Sequence, residues 1–162
     1  HEGTYPLPVA QLDRFLMRLS IGYPSARSEL EVLHRHGQHS ALDEIDAVAN
    51  ARTILTMVEA ARQVHVAETL NSYIVDLIAS TRKSSELALG ASPRASLALL
   101  RASRAYAAAE ARDYVIPDDV KTLAPVVLPH RFIVAPEAEM SGRSAADVVA
   151  DLIDQVAIPI RG

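Results

Sequence analysis

The sequence predicts a mainly α chain, a helical bundle preceded by a helix–strand segment, and three observations carry that reading. Apolar residues recur at helical spacing, most clearly Leu70, Tyr73, Ile74, Leu77 and Ile78 with Thr81 on the same stripe. Only one stretch alternates with the period of a strand: Phe15, Met17, Leu19 and Ile21, with Arg18 and Ser20 between them. Aromatics are scarce at two Phe, five Tyr and no Trp, and alanine is abundant, which favours helices that approach closely through small side chains. At 162 residues the chain makes about one domain, and 49% hydrophobic against 22% charged residues is ample for a packed core.

Taken in order, the opening His1–Pro8 carries turn chemistry and no Met, and reads as cut from something longer. Residues 9–16 read as a short helix, and 16–21 as a strand closed by Gly22-Tyr23-Pro24. Ser25 is placed to cap a helix bearing Leu30 and Leu33 and ending at Gly37. Asn50 precedes a helix with Ile54, Leu55, Val58 and Ala61 on one face. The clearest helix spans about 67–82, and 83–90 reads as a loop. Ser92-Pro93 opens a long helix to about Arg112, with a capping serine and a first-turn proline. Pro117-Asp118-Asp119 opens the next, which Pro125 and Pro129 should kink and end. Residues 131–134 read as extended, and Ser144 with Asp147 forms a capping-box start for a last helix.

Composition excludes several function classes. Without cysteine there is no disulfide framework, thiolate nucleophile or Cys-ligated zinc. A net charge of −4 argues against a surface devoted to nucleic acid or anionic lipid, and no apolar run is long enough to span a membrane. The expectation is a soluble, cytoplasmic chain. His34, His36 and His39 invite a metal reading, but His34 and His36 lie about 200° apart on a helix and cannot share an ion. Asp43, Glu44 and Asp46 read as a polar loop or first turn, and Asp118 and Asp119 as dipole partners.

The helix from Pro93 holds the chemistry. Arg101 lies about 20° from Arg94 around the axis and Arg112 falls in line with it, so a guanidinium stripe faces away from Leu99, Leu100, Ser103, Tyr106 and Ala107. Arg94 occupies the first turn, the unfavourable end of the dipole for a cation. An anion held jointly by Arg94 and the free N–H groups of that turn would reverse the sign; a solvated arginine behind a Ser-Pro cap is the plainer alternative.

Gly90-Ala-Ser-Pro-Arg-Ala-Ser96, within Leu89–Leu100, resembles the sensor-2 segment of MoxR-type AAA-family ATPases. So does Glu2-Gly-Thr-Tyr-Pro-Leu-Pro8, followed by Ala10-Gln-Leu-Asp-Arg-Phe15, which in that family ends in an arginine directed at a neighbouring subunit's nucleotide. Tyr73–Leu77 and Asp113–Lys121 resemble the family's lid helices, so the resemblance runs from residue 2 to about 156. It implies that residues 1–24 are a remnant of the α/β nucleotide-binding core and that 25–162 form a helical lid domain. Arg94 would be the sensor-2 arginine on ATP bound in its own subunit, with Pro93 beside it in nucleotide binding. Arg14 would be the arginine finger acting in trans. The family uses ATP and Mg²⁺, assembles as a ring, with a hexamer expected here, and remodels or matures a partner protein, chaperone-like or by metal insertion. The glycines stand at 3, 22, 37, 90, 142 and 162, so no phosphate-cradling G-x-x-x-x-G-K-[ST] loop exists in these residues, and the chain alone should be inactive. Position 9 is Val where the family usually has Glu, position 1 is His where Gln is common, and Ile116 holds a cap position often given to Thr. A different class of function, a stand-alone helical interaction module meeting an acidic partner through the Arg94–Arg101–Arg112 stripe, is the alternative; DNA binding through that stripe is disfavoured by the charge. Residues 1–24, without a core sheet, would need ordering by the lid's own surface or by a second copy.

Overall fold

The computed structural model describes residues 7–35 and 45–158. The chain divides into two compact units, residues 1–18 together with 58–162, and residues 19–57.

In the larger unit, α1 is the short helix Val9–Leu12, and α4 runs from Glu68 to Thr81. Helix α4 buries Leu70, Tyr73, Ile74, Leu77, Ile78 and Thr81, the whole stripe the sequence marks. The predicted loop that follows contains a short strand, β1 at Leu87–Leu89, paired antiparallel with β2 at Ile133–Val134. Three residues are too few for alternation to register, and only the distant partner makes them a strand.

Helix α5, Pro93–Ala109, buries Ala95, Ala98, Leu99, Ala102, Ser103 and Ala107. Five of those six carry no more than a Cβ or a hydroxymethyl, which lets neighbouring helices come close. The helix stops at Ala109, short of the expected Arg112. Ala111 turns left-handed at φ 56, and two N–H groups fold back, Arg112 to the Ala107 carbonyl (2.9 Å) and Ala111 to that of Ala108 (3.0 Å). This is the two-bond termination that glycine usually provides. It frees residues 113–115 to run beside His65, whose N–H reaches the Asp113 carbonyl at 2.8 Å while its carbonyl receives the Val115 N–H at 3.0 Å.

Helix α6, Pro117–Val127, opens on Asp119, which accepts the Ile116 N–H at 2.9 Å and a two-pronged grip from Arg112 at 2.6 and 2.8 Å. The helix continues through Pro125, whose ring sits on the exposed side. The stop comes at Pro129, where one 3₁₀ turn, Pro129–Arg131, follows. After β2, a short helix α7, Pro136–Met140, precedes α8, Ala145–Gln155. The predicted capping box is present: Ser144 Oγ accepts the Asp147 N–H at 3.2 Å, and Asp147 accepts the Ser144 N–H at 2.9 Å. Arg143 joins Glu86 (2.7 Å) to Asp151, fastening β1 to α8. Tyr73, Leu77, Ile78, Leu99, Val120, Val127, Val148 and Val149, from α4, α5, α6 and α8, are wholly buried.

The alternating residues 16–21 form no strand. Residues 17–25 run without a ladder, and Leu19, Ile21 and Tyr23 are exposed. Alternation alone cannot make a strand where no edge receives it. The Arg18 N–H instead donates to the Val126 carbonyl at 2.8 Å. Residues 7–18 therefore rest on the lid's own surface.

In the smaller unit, α2 spans Ala26–Arg35 behind Ser25, which accepts the Ser28 N–H at 3.2 Å. Helix α3, Ala51–Gln63, begins at Asn50, whose Oδ1 accepts the Thr53 N–H at 3.0 Å; the unit boundary falls within it. Both predicted caps are in place. The apolar faces are another matter, with Leu30, Leu33, Ile54, Leu55 and Val58 all exposed. The expected stop at Gly37, with His36, His39, Asp43 and Glu44, lies outside the described residues; His34 and Asp46 are exposed. Among the described residues no helix is long and apolar enough to cross a membrane, and no three His, Asp or Glu side chains are grouped to hold a metal ion.

Candidate functional site

Arg14 and Arg94 line one recess. It measures about 540 Å³ and is walled by Asp13, Arg14 and Leu16 on one side and by Arg94, Leu97, Ala98 and Arg101 of α5 on the other, with Arg131 at its base. Arg14 is placed by the turn that leaves α1, where its N–H donates to the Gln11 carbonyl at 3.1 Å. Arg94 is placed by the α5 cap. Both side chains are exposed, as is Arg101.

The expected free N–H groups of the α5 first turn are taken. Pro93 has none, Arg94 donates to Ser92 Oγ at 3.2 Å, and Ala95 donates to the Ser92 carbonyl at 2.9 Å. An anion here is met by side chains. Among the described residues neither Arg14, Arg94 nor Arg101 pairs with a carboxylate, whereas Arg131 is neutralised by Asp13 at 2.8 Å. The recess therefore concentrates three positive charges, without a carboxylate partner among the described residues, on a chain whose net charge is −4, an arrangement suited to a polyanionic ligand.

The stripe of three arginines does not survive. Arg112 lies beyond the end of α5 and is held by Asp119, a group 2% exposed, which raises the guanidinium's pKa further. Arg101 stays with Arg94.

Sequence reasoning missed the residues that build the recess from below. Arg131 is 3% exposed, and His130 is buried beside it. His130 Nε2–H donates to the Phe15 carbonyl at 3.1 Å, and burial, the largest influence, holds its pKa below the usual imidazole value of 6.5. A signal was present: an arginine inside Val-Val-Leu-Pro-His-Arg-Phe-Ile-Val is a cation embedded in apolar sequence, which is tolerated in a core only when paired.

The AAA lid domain family matches residues 79–152, from the end of α4 to α8. Over nearly its full length the chain is similar to three curated proteins. They are YeaC of Bacillus subtilis, a protein of uncharacterised function (40% identical, 99% of this chain, 50% of YeaC); Chaperone MoxR1 of Mycobacterium tuberculosis (38%, 98% and 44%); and Protein MoxR of Methylorubrum extorquens (32%, 96% and 50%). A crystal structure of a candidate ATPase from Cytophaga hutchinsonii superposes with a TM-score of 0.88 at 34% identity, covering 98% of this chain and 51% of that one. The chain belongs to the MoxR-type AAA ATPases, as their C-terminal portion. It spans about half the length of the curated relatives it matches.

Proposed function

We propose that the intact protein binds and hydrolyses ATP with Mg²⁺ in a ring, a hexamer, and that this chain supplies the arginine side of the site. One observation carries the proposal: Arg14 and Arg94, far apart in sequence, line one recess with Arg101, and among the described residues none of the three is paired with a carboxylate. Phosphoryl transfer spreads negative charge over phosphoryl oxygens, and a positioned guanidinium stabilises that charge, by about 10³–10⁵ in rate in the best cases. Arg94 serves as sensor 2, with Pro93 setting the start of its helix, and Arg14 serves as the arginine finger.

Because both guanidiniums open to one recess, they can meet one triphosphate. This favours Arg94 joining Arg14 in trans on a neighbour's nucleotide over the division in which Arg94 serves its own subunit. Toward ATP, the described residues of this chain offer the three arginines of the recess. The Chaperone MoxR1 name supports an output in which turnover remodels or matures a partner protein; metal insertion as the form of that maturation, and a cytoplasmic location, rest on the family resemblance.

The test uses the full-length protein. Arg14→Ala and Arg94→Ala should each bind ATP and lose most turnover. Mixing Arg94→Ala with a variant unable to hydrolyse its own ATP should restore activity if Arg94 acts in trans, and leave it lost if Arg94 acts in cis. Wild-type turnover in both single variants would end the ATP-site reading.

A further inference from the structure

Arg131 uses all five of its N–H donors. Nε donates to the Val127 carbonyl at 2.8 Å; Nη1 donates to the Asp13 carbonyl at 2.6 Å and to its carboxylate at 2.8 Å; Nη2 donates to the carbonyls of Phe15 and Leu16, the latter at 3.1 Å. Four of these five bonds fall on residues 13–16, on both sides of Arg14. The second Asp13 oxygen receives the Ser92 hydroxyl at 2.8 Å, and that hydroxyl in turn accepts the Arg94 N–H at 3.2 Å. A continuous chain of hydrogen bonds thus runs from the backbone flanking Arg14 to the backbone of Arg94.

A buried ion pair is a poor device for stability, since well-packed apolar residues do as well. A planar guanidinium instead fixes direction, because each donor has one heading. We propose that Arg131 and Asp13 are positioning residues, which hold Arg14 and Arg94 at a set separation so that both guanidiniums reach the phosphates of one nucleotide together. The proposal rests on the ATP-site reading above. In this link both residues act through the two arginines.

The experiment is a kinetic cycle in the full-length protein. Asp13→Asn keeps the shape and removes the charge that orders Arg131 and receives Ser92. It should lower kcat by about 10- to 100-fold with KM for ATP little changed, since misplaced groups lose transition-state contacts first. In an Arg14→Ala, Arg94→Ala background, read by single-turnover hydrolysis, the same substitution should change the rate by less than about twofold, because nothing remains to position. Should Asp13→Asn fail to fold, Ser92→Gly decides the matter: glycine is an acceptable cap, yet the bond to Asp13 is gone. It should give a kcat-specific loss that also vanishes in the double-arginine background. Wild-type kcat in a folded link variant, or an equal loss in both backgrounds, overturns the positioning role and leaves the ATP site standing. Undiminished turnover in Arg14→Ala and Arg94→Ala overturns both.

Discussion

Replacing Gly90 with alanine should destabilise the lid for want of space. A Cβ built there meets the Arg82 Cα at 2.7 Å and the Arg82 N at 2.8 Å, about 0.6–0.7 Å inside ordinary contact at 3.4 Å. These are backbone atoms at the end of α4, and they cannot swing aside. The next residue is pinned as well, its N–H on Thr81 Oγ1 at 2.9 Å and its carbonyl on Arg82 Nε at 2.9 Å. Relief must come from moving one backbone against the other, at a cost typical of overpacking, about 1–3 kcal/mol. For a chain of this size that is roughly 3–10 °C in Tm. Urea and thermal unfolding followed by circular dichroism would read it. Gly142→Ala is the instructive comparison, since its Cβ meets nothing within 4 Å and its difficulty is only φ +84. A Gly90→Ala variant within about 0.5 kcal/mol of wild type would refute the crowding argument.

Ala111→Gly should stabilise the chain by about 0.5–1 kcal/mol, because the left-handed turn that ends α5 is strained for alanine and natural for glycine; a lower urea midpoint would count against it. His130 gives a pH dependence of known sign. Its folded-state pKa lies below the ordinary 6.5, chiefly through burial, so the unfolded chain binds the proton first. Its contribution is whole above 6.5 and is lost as pH falls toward the folded-state value. From about pH 8 to about pH 5, the urea midpoint of wild type should fall more steeply than that of His130→Gln, and parallel curves would remove His130 from the account.

What was legible in the sequence was local. The α4 stripe, the Ser92-Pro93 and Ser144 caps and the mainly helical class all depend on residues within a turn or two of one another. The errors came where distant partners decide. Leu87–Leu89 is a strand only because Ile133–Val134 lies beside it, and residues 16–21 are not one because no edge receives them. Arg112 leaves the α5 stripe because its partner is Asp119 on the next helix. The site divides in the same way. Arg14 and Arg94 could be named from flanking motifs, but their meeting in one recess, and Arg131 beneath them, depend on residues 79 to 118 positions apart.

That separation bears on the order of folding. The closing turn of α6 completes its bonding with the Arg18 N–H at the Val126 carbonyl, and the guanidinium beyond it grips a backbone 118 residues upstream. Helices α4 to α6 can associate over short loops. The Asp13–Arg18 segment leaves the ribosome before those helices, yet finds its partners only after residue 131 has been made, and closing so long a loop is entropically costly and slow. The arginine pair should therefore come together only after helices α4 to α6 have associated, assembled onto helices that have already formed.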